Sequence, residues 1–321
     1  SIYNANHATF TGWRDNFKTV RTILYKREDI DVYYWIDGLG VDWVPFIINV
    51  IEEYSKENVY LNEVHIAVSS IPTTTSKNKP VLQSLLPAGE ELSKLGSLDS
   101  FAHQHKSYPQ YILDEFQIVR GAIHNVLDQY NGKKIAFVSD HGVSYLAQYS
   151  KGLKLAGLTS DHEGRLAHVT GKMVLDDKYI ILDDNETVCS LTHASLTDKV
   201  NSGHGAHGGC TPEEVLVPII IVSSQKNASN YSVKIVADEI TGANPIVEFV
   251  IKGLNSIDNP VLEYNGVAYT LENVGNDTFR SERLNLVDTA SKVIVKIGEH
   301  FKSTFNIRVS TGAQEDDLFD F

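Results

Sequence analysis

Lys134-Ile135-Ala136-Phe137-Val138-Ser139-Asp140-His141-Gly142 is a short apolar run that ends in a carboxylate and an imidazole before a glycine turn. Open α/β sheets place their chemistry in crevices outside the carboxyl ends of strands, so this stretch predicts a sheet and a site together. The same construction occurs earlier, where Val32-Tyr33-Tyr34-Trp35-Ile36 runs into Asp37-Gly38-Leu39-Gly40. Two strand-end carboxylates so far apart in the chain predict one assembled metal site with Asp37, Asp140 and His141 among its ligands.

Outward from these strands the pattern alternates helix and strand. Trp13, Phe17, Val20, Ile23 and Leu24 have roughly helical spacing and predict a lead-in helix. Pro45 sits near the start of a helix ending around Tyr54, and Val64 to Val68 reads as a strand. Residues 70–80 are polar and read as a turn. Ile112, Phe116, Val119, Ile123 and Leu127 predict a helix closed by Gly132. Arg165 to Val169 and Tyr179 to Leu182 read as two strands around turns, and Val215 to Val222 as the most hydrophobic strand, interrupted only by Pro218. Beyond Asn227 the rhythm changes to short alternating segments at 232–236, 246–251, 292–297 and 305–309 separated by Gly, Asn and Asp. That rhythm predicts a small all-β sandwich. The expected organisation is an α/β domain over 1–225, a β-sandwich-like accessory domain over 226–313 and an acidic tail over 314–321. The tail, Glu315-Asp316-Asp317-Leu318-Phe319-Asp320-Phe321, reads equally as a disordered end or a docking peptide.

The 321 residues suffice for one large α/β domain with a smaller companion. No apolar run approaches the roughly 18 residues of a membrane span, and Ser1 to Arg14 lacks the basic end and apolar stretch of a signal peptide. The chain begins without Met, as a piece excised from a longer protein would. Two cysteines, Cys189 and Cys210, make no disulfide framework, and a reducing cytoplasm is the expected location. A formal net charge of −13 opposes a direct grip on nucleic acid.

Five pieces fall on turns between the predicted elements. Besides Asp37 and Asp140-His141 these are the hydroxyl-rich Ser69-Ser70-Ile71-Pro72-Thr73-Thr74-Thr75-Ser76-Lys77-Asn78, the pair Asp99 and His103, and Gly203-His204-Gly205-Ala206-His207-Gly208-Gly209. One helical turn puts Asp99 and His103 on one face. Mixed carboxylate and imidazole ligands suit zinc, manganese or iron better than calcium, and there are enough for two ions, which together can clamp the attacking and leaving oxygens at phosphorus. A threonine hydroxyl beside such an ion can attack directly; water is the simpler nucleophile. Taken singly, each piece also has an ordinary reading: Asp37-Gly38 as a turn, the threonines as a loop, Asp99 as a helix cap with His103 on the surface, and His204 facing solvent. Glu213 and Glu214 read as the start of the last strand or the cap of a short turn, and less readily as partners of His207. His168 and His193 read as core or surface residues, and Cys210 as a structural thiol close enough to line the site.

Together these pieces resemble the alkaline phosphatase superfamily and, within it, the PglZ domain. The resemblance covers roughly residues 30–224 and rests on Asp37, Pro72-Thr73-Thr74-Thr75, Asp99 with His103, Asp140-His141, and His207-Gly208-Gly209 with Glu213-Glu214-Val215 and Val217-Pro218. It implies an alkaline-phosphatase-like mixed or parallel sheet sandwiched by helices. It also implies two divalent ions, Zn2+ before Mn2+, one held by Asp37, Thr75, Asp140 and His141 and the other by Asp99, His103 and His207. Thr75 is the implied nucleophile, with Thr74 and Thr73 as fallbacks and Asn78 as a possible phosphoryl contact. No Cys/Ser-x-Pro-x-Arg sulfatase motif is present, and no large insertion separates Thr75 from Asp140 as in a phosphoglycerate mutase. With no evident Arg or Lys cluster for a terminal phosphate, a phosphodiesterase is favoured over a phosphomonoesterase. PglZ proteins belong to bacteriophage-exclusion defence systems. The implied partners are therefore a phosphoester or nucleotide-type substrate, plus defence-complex proteins bound through the β domain or tail. The rival reading is a catalytically silent or partner-activated scaffold of such a complex.

Overall fold

In the computed structural model the chain forms two compact units, Ser1–Lys226 and Asn227–Phe321. Residues 2–54, 59–104, 109–174, 176–198, 204–224, 231–241, 244–254, 258–286, 290–298 and 301–310 are described. The acidic tail of the sequence analysis lies outside them.

The first unit opens with helices α1 (Ile2–Arg14) and α2 (Val20–Leu24) where the apolar spacing predicted one helix. The break has a local cause. Thr19 caps α2 by accepting a hydrogen bond from the Thr22 amide, while the Lys18 carbonyl accepts one from the Val68 amide at 3.0 Å, so residues 18–19 are committed to extended backbone. There follow β1 (Val32–Trp35), α3 (Val44–Glu52), β2 (Tyr60–Val68), α4 (Thr75–Gln83), the two-residue β3 (Ser93–Lys94), α5 (Leu98–Gln104), α6 (Ile112–Asp128) and β4 (Ile135–Val138). Next come β5 (Leu158–Asp161), β6 (Leu166–Val169), β7 (Tyr179–Ile181), β8 (Thr187–Ser190), the single-turn α7 (Pro212–Val215) and β9 (Leu216–Ser223).

The central sheet has the order β2-β9-β4-β1-β3. Strands β3, β1 and β4 are mutually parallel, and β9 runs antiparallel between β4 and β2. Alternate strand residues face opposite layers. Ile135, Phe137, Ile220 and Val222 pack with Ile47, Val50 and Ile51 of α3 and Val119, Ile123 and Leu127 of α6. On the other face Ala136, Val138, Ile219 and Ile221 pack with Val20 and Leu24 of α2 and Leu82 of α4. The sheet therefore lies between two helical layers. Pro218 is tolerated because the β4 pairing stops one residue before it, at Val138 opposite Ile219. Between β4 and β9 the chain builds a four-stranded antiparallel sheet of order β5-β6-β8-β7.

The stretch read as a polar turn contains α4, and this is a correction. Thr-Ser-Lys-Asn-Lys-Pro has no apolar period, with Pro80 inside the helix. What holds its start is Asn78, whose amide nitrogen donates to the carbonyls of Ser70 and Thr74 and whose oxygen accepts from the Ser70 amide at 2.7 Å.

The second unit is all-β: β10 (Ser232–Ile235), β11 (Glu239–Thr241), β12 (Glu248–Lys252), β13 (Val261–Tyr264), β14 (Val267–Gly275), β15 (Thr278–Ser281), β16 (Ala290–Ile297) and β17 (Phe301–Ser310). They form one sheet of order β10-β12-β15-β14-β13-β16-β17-β11. The two halves predicted as facing sheets are continuous, because the first half of β14 pairs with β13 and the second half with β15. One apolar cluster, including Phe249, Leu262, Phe279, Val293, Val295 and Ile307, is shared by both halves. No helix among the described residues is long and apolar enough to cross a membrane.

Candidate metal centre

The carboxyl ends of β1 and β4 deliver Asp37 and Asp140-His141 side by side, and Gly38 N–H lies 3.4 Å from Asp140 Oδ1. Two glycines permit this approach. A side chain at Gly142 would meet Glu213 O at 2.0 Å and Gly40 Cα at 2.7 Å, and Gly38 has φ +78 with Asp99 Cβ 3.0 Å from any added Cβ. Thr75 is the first residue of α4, Asp99 and His103 lie one turn apart on α5, and His207 comes from the loop before α7.

These side chains converge. Ligand atoms of Asp99, His103 and His207 lie within 4.8 Å of one another, and so do those of Asp37, Asp99 and His141. Asp99 therefore belongs to both groups, whereas the resemblance gave it to one. His141 and His207 stack at the junction, ring centroids 4.0 Å apart. Thr75 Oγ1 lies 3.3 Å from Asp37 Oδ1 and 3.1 Å from His141 Nε2. Asp140 Oδ2 is 3.5 Å from His141 Nε2.

The fit to metal ions can be judged from the donors. Asp140 Oδ2 is buried with no hydrogen-bond partner among the described residues, and the buried Asp99 Oδ1 has only the His103 and His207 rings near it, at 3.3 and 3.6 Å, an arrangement that costs free energy unless a cation satisfies it. A carbonyl only accepts, so His207 Nδ1, 2.8 Å from Thr73 O, carries the proton there and turns Nε2 toward Asp99. His141 Nδ1 makes the same kind of contact with Gly142 O at 3.1 Å. Burial, and then the neighbouring His141, hold His207 well below the ordinary histidine range, so its imidazole is neutral, as a ligand must be. Burial followed by the charges of Asp140 and Asp99 raises the Asp37 carboxyl. At Asp99 burial acts upward, but His103, His207 and His141 outweigh it and hold the carboxylate ionised. His103 is raised in turn, chiefly by its contact with Asp99. This donor set fits divalent cations that accept both nitrogen and oxygen.

The loops are braced from behind. Thr73 Oγ1 accepts from the Gly208 amide and donates to Gly209 O, both at 2.9 Å, so Thr73 ties the threonine loop to the His207 loop. Its hydroxyl is buried and engaged, which removes it as a fallback nucleophile. Thr74 is buried with its hydroxyl 3.1 Å from Ser76 Oγ. The Asn78 amide is committed to the loop backbone and not to a phosphoryl oxygen. Glu214 and Arg165 form a fully buried pair: Nε to Oε1 at 2.9 Å and Nη2 to Oε2 at 2.7 Å. Glu214 also accepts from the amides of Gly209 and Thr211 and from Thr211 Oγ1. Its fellow Glu213 accepts from Ser144 Oγ and pairs with His193 at 2.6 Å, which gives His193 a defined partner. His204 is buried but outside both groups of ligand atoms; its Nδ1 contacts Gly205 O. Cys210 does not line the site: it is packed with Cys189, Phe10, Leu166 and Ile180, and burial pushes its thiol up.

Three features escaped the sequence reading. Arg165 opens a predicted strand, and a lone arginine entering an apolar run was the available signal. His162, Glu163 and Gly164 have φ of 43, 55 and 76, and the His162 ring lies 5.0 Å from that of His207. His162 and Glu163 are strained there, while Gly164 takes that conformation freely, and this turn packs directly against the centre. Lys94 Nζ lies 2.6 Å from Asp37 Oδ2, while Thr75 contacts the other oxygen of that carboxylate, so a single lysine stands at the site although the sequence showed no Arg or Lys cluster there. Nothing local marked Lys94; the pairing of β3 with β1 brings it there.

No protein-family model and no curated protein matches the sequence. Among solved structures, the chain is similar to the crystal structure of murine CEACAM1b at 9% identity over 49% of this chain and 87% of that one, with a TM-score of 0.21, a likeness that carries no argument.

Proposed function

We propose that the first unit is a metal-dependent phosphohydrolase that uses Thr75 as its nucleophile, acts on phosphodiesters and has an alkaline-phosphatase-like core of the PglZ kind. The observation that carries this reading is the meeting of Thr75 Oγ1, Asp37 and His141 within 3.6 Å contacts, beside the Asp99-His103-His207 group. Asp37, Asp140 and His141 would hold one divalent ion, His103 and His207 the other, with Asp99 placed to contact both. When bound, such ions polarise the phosphoryl group, favour the ionised hydroxyl and bear charge on the departing oxygen.

The chain's own residues do the positioning. Thr75 Oγ1 gives up its proton to solvent and forms the new bond to phosphorus as the bond to the leaving oxygen breaks; Asp37 Oδ1 and His141 Nε2, the atoms beside it, are kept for holding the ion. Thr75 heads α4, so the positive end of that helix faces the incoming phosphoryl oxygens. Water then cleaves the phosphothreonine and restores the hydroxyl. Thr73, Asn78 and Glu214 keep the loops in register, so that oriented attack supplies much of the rate. A cytoplasmic role in a phage-defence complex belongs to the same proposal and rests on the sequence resemblance alone.

The test is hydrolysis of bis-p-nitrophenyl phosphate and p-nitrophenyl phosphate with zinc or manganese, by wild type, Thr75→Ala and Asp140→Ala. Diester cleavage lost in both variants, with metal content retained in Thr75→Ala, is the expected result. Bound metal without cleavage of either compound by wild type would defeat the hydrolase reading and leave the scaffold.

A further inference from the structure

Strand β3 is only two residues long, yet it is held firmly: Tyr34 pairs with Ser93, Trp35 with Lys94, and the Leu95 amide donates to Trp35 O at 2.7 Å. Its consequence is the placement of Lys94 beside the end of β1. There the ammonium lies against the buried Asp37 carboxylate and 5.0 Å from the centroid of the Trp35 ring. A second ammonium, that of Lys79, stands 5.0 Å from the same ring centroid. Lys79 is exposed and lies four residues beyond Thr75 on α4, one helical turn along the nucleophile's face. Two lysines from separate elements thus share one buried indole, which favours cations over its face. They do so at the edge of a carboxylate-rich centre in a chain of net charge −13. Only Lys94 has a carboxylate within ion-pair distance among the described contacts of this pair of lysines.

We propose that Lys79 and Lys94 form an anion-recognition wall that selects substrates carrying a second phosphate group beside the scissile one. Lys94 meets the phosphoryl group next to Asp37, and Lys79 meets the neighbouring phosphate along α4. A simple diester brings one negative charge, which the metal-binding centre and the start of α4 already accommodate; a second phosphate gives the two ammonium groups a partner. The substrate class rests on the phosphohydrolase reading, but the wall itself is a binding property and is measured as one.

The experiment is isothermal titration of the full chain, zinc-loaded and chelator-treated, with two matched pairs of probes. Orthophosphate against pyrophosphate reports phosphates joined by an anhydride; thymidine 5′-monophosphate against thymidine 3′,5′-bisphosphate reports ester-linked phosphates. In the wild type the member with two phosphates should bind roughly 10- to 100-fold more tightly in at least one pair, the size of one or two charge-assisted hydrogen bonds. Lys79→Met should bring that ratio toward one, Lys94→Met should weaken binding of both members, and Lys94→Arg should restore much of it. Equal binding of one and two phosphates by wild type overturns the proposal, as does a preference that survives both methionine variants. Because Lys79 is exposed, Lys79→Met keeps the test decisive even where Lys94→Met disturbs the edge of the sheet. A phosphate preference without any Thr75-dependent cleavage sinks the hydrolase reading and leaves the wall; cleavage without the preference does the reverse.

Discussion

Glu214→Gln probes the brace behind the His207 loop. The native carboxylate accepts five hydrogen bonds: two from the Arg165 guanidinium, one each from the Gly209 and Thr211 amides, and one from Thr211 Oγ1. Replacing one oxygen by an NH2 group sets a donor against donors on that side. It also leaves the fully buried Arg165 with no carboxylate, only neutral acceptors: the one remaining amide oxygen at position 214 and the carbonyls of Thr192 and Ala194. Breaking a buried pair by removing one charge costs about 3–5 kcal/mol. For a unit of Ser1–Lys226, each kcal/mol shifts Tm by about 2–4 °C, so the transition of this unit should fall by about 6–20 °C. The strain is local to the metal loop, because Gly209 and Gly208 are both bonded to Thr73, whose carbonyl orients His207. Zinc affinity should therefore fall roughly 10- to 100-fold, the usual effect of losing an outer-shell partner. Differential scanning calorimetry of the metal-free protein and a competitive zinc titration check the two parts. A Tm shift under about 2 °C would refute the claim that the buried pair is a main brace, and an unchanged zinc affinity would refute its coupling to His207.

Glu115→Gln tests a buried acid outside the metal centre. Burial raises the Glu115 carboxyl from 4.5 to about 7, although Tyr145 donates to it at 2.7 Å. The folded state thus holds a proton that the unfolded chain releases. The wild type should lose about 3 kcal/mol of stability as pH rises from about 4.5 through about 7, with little further change from this group above that. The Gln variant should lack that slope and be the more stable protein at pH 8 in urea melts; an unaltered slope counts against the assignment. Thr73→Val leaves the Gly208 amide without its buried acceptor and should cost about 1–3 kcal/mol while weakening zinc binding; complete loss of turnover with intact stability and metal would return Thr73 to the list of nucleophiles. Asp99→Ala should weaken both zinc ions in elemental analysis, whereas His103→Ala should weaken one, and equal losses in the two variants would contradict a shared Asp99.

Local pattern made much of the architecture legible. Ile135 to Val138 is buried at every position because both faces of a central strand are covered, and such strands read as continuous apolar runs. The alternation in β16 is equally plain, with Ser291, Val293, Val295 and Ile297 buried and the residues between them more exposed. Helix α4 was not legible, since its polar sequence with Pro80 lacks an apolar period and its start depends on contacts made by Asn78. The split between α1 and α2 was hidden for a related reason: the pairing of Thr19 with Val68 joins residues distant in sequence.

The candidate centre divides along the same line. The amino-acid sequence alone determined which residues can ligate: strand ends carrying Asp37 and Asp140-His141, a helical Asp99-His103 pair and a glycine-flanked His207, because ligand chemistry and short-range spacing are local properties. Only the tertiary structure decided that Asp99 stands between the two groups, that Thr73 braces where Thr75 is presented, that Arg165 neutralises Glu214, and that Lys94 reaches Asp37. Each of these is a meeting of side chains from elements far apart in sequence, and their distances are set by sheet order and layer packing, which no local pattern encodes.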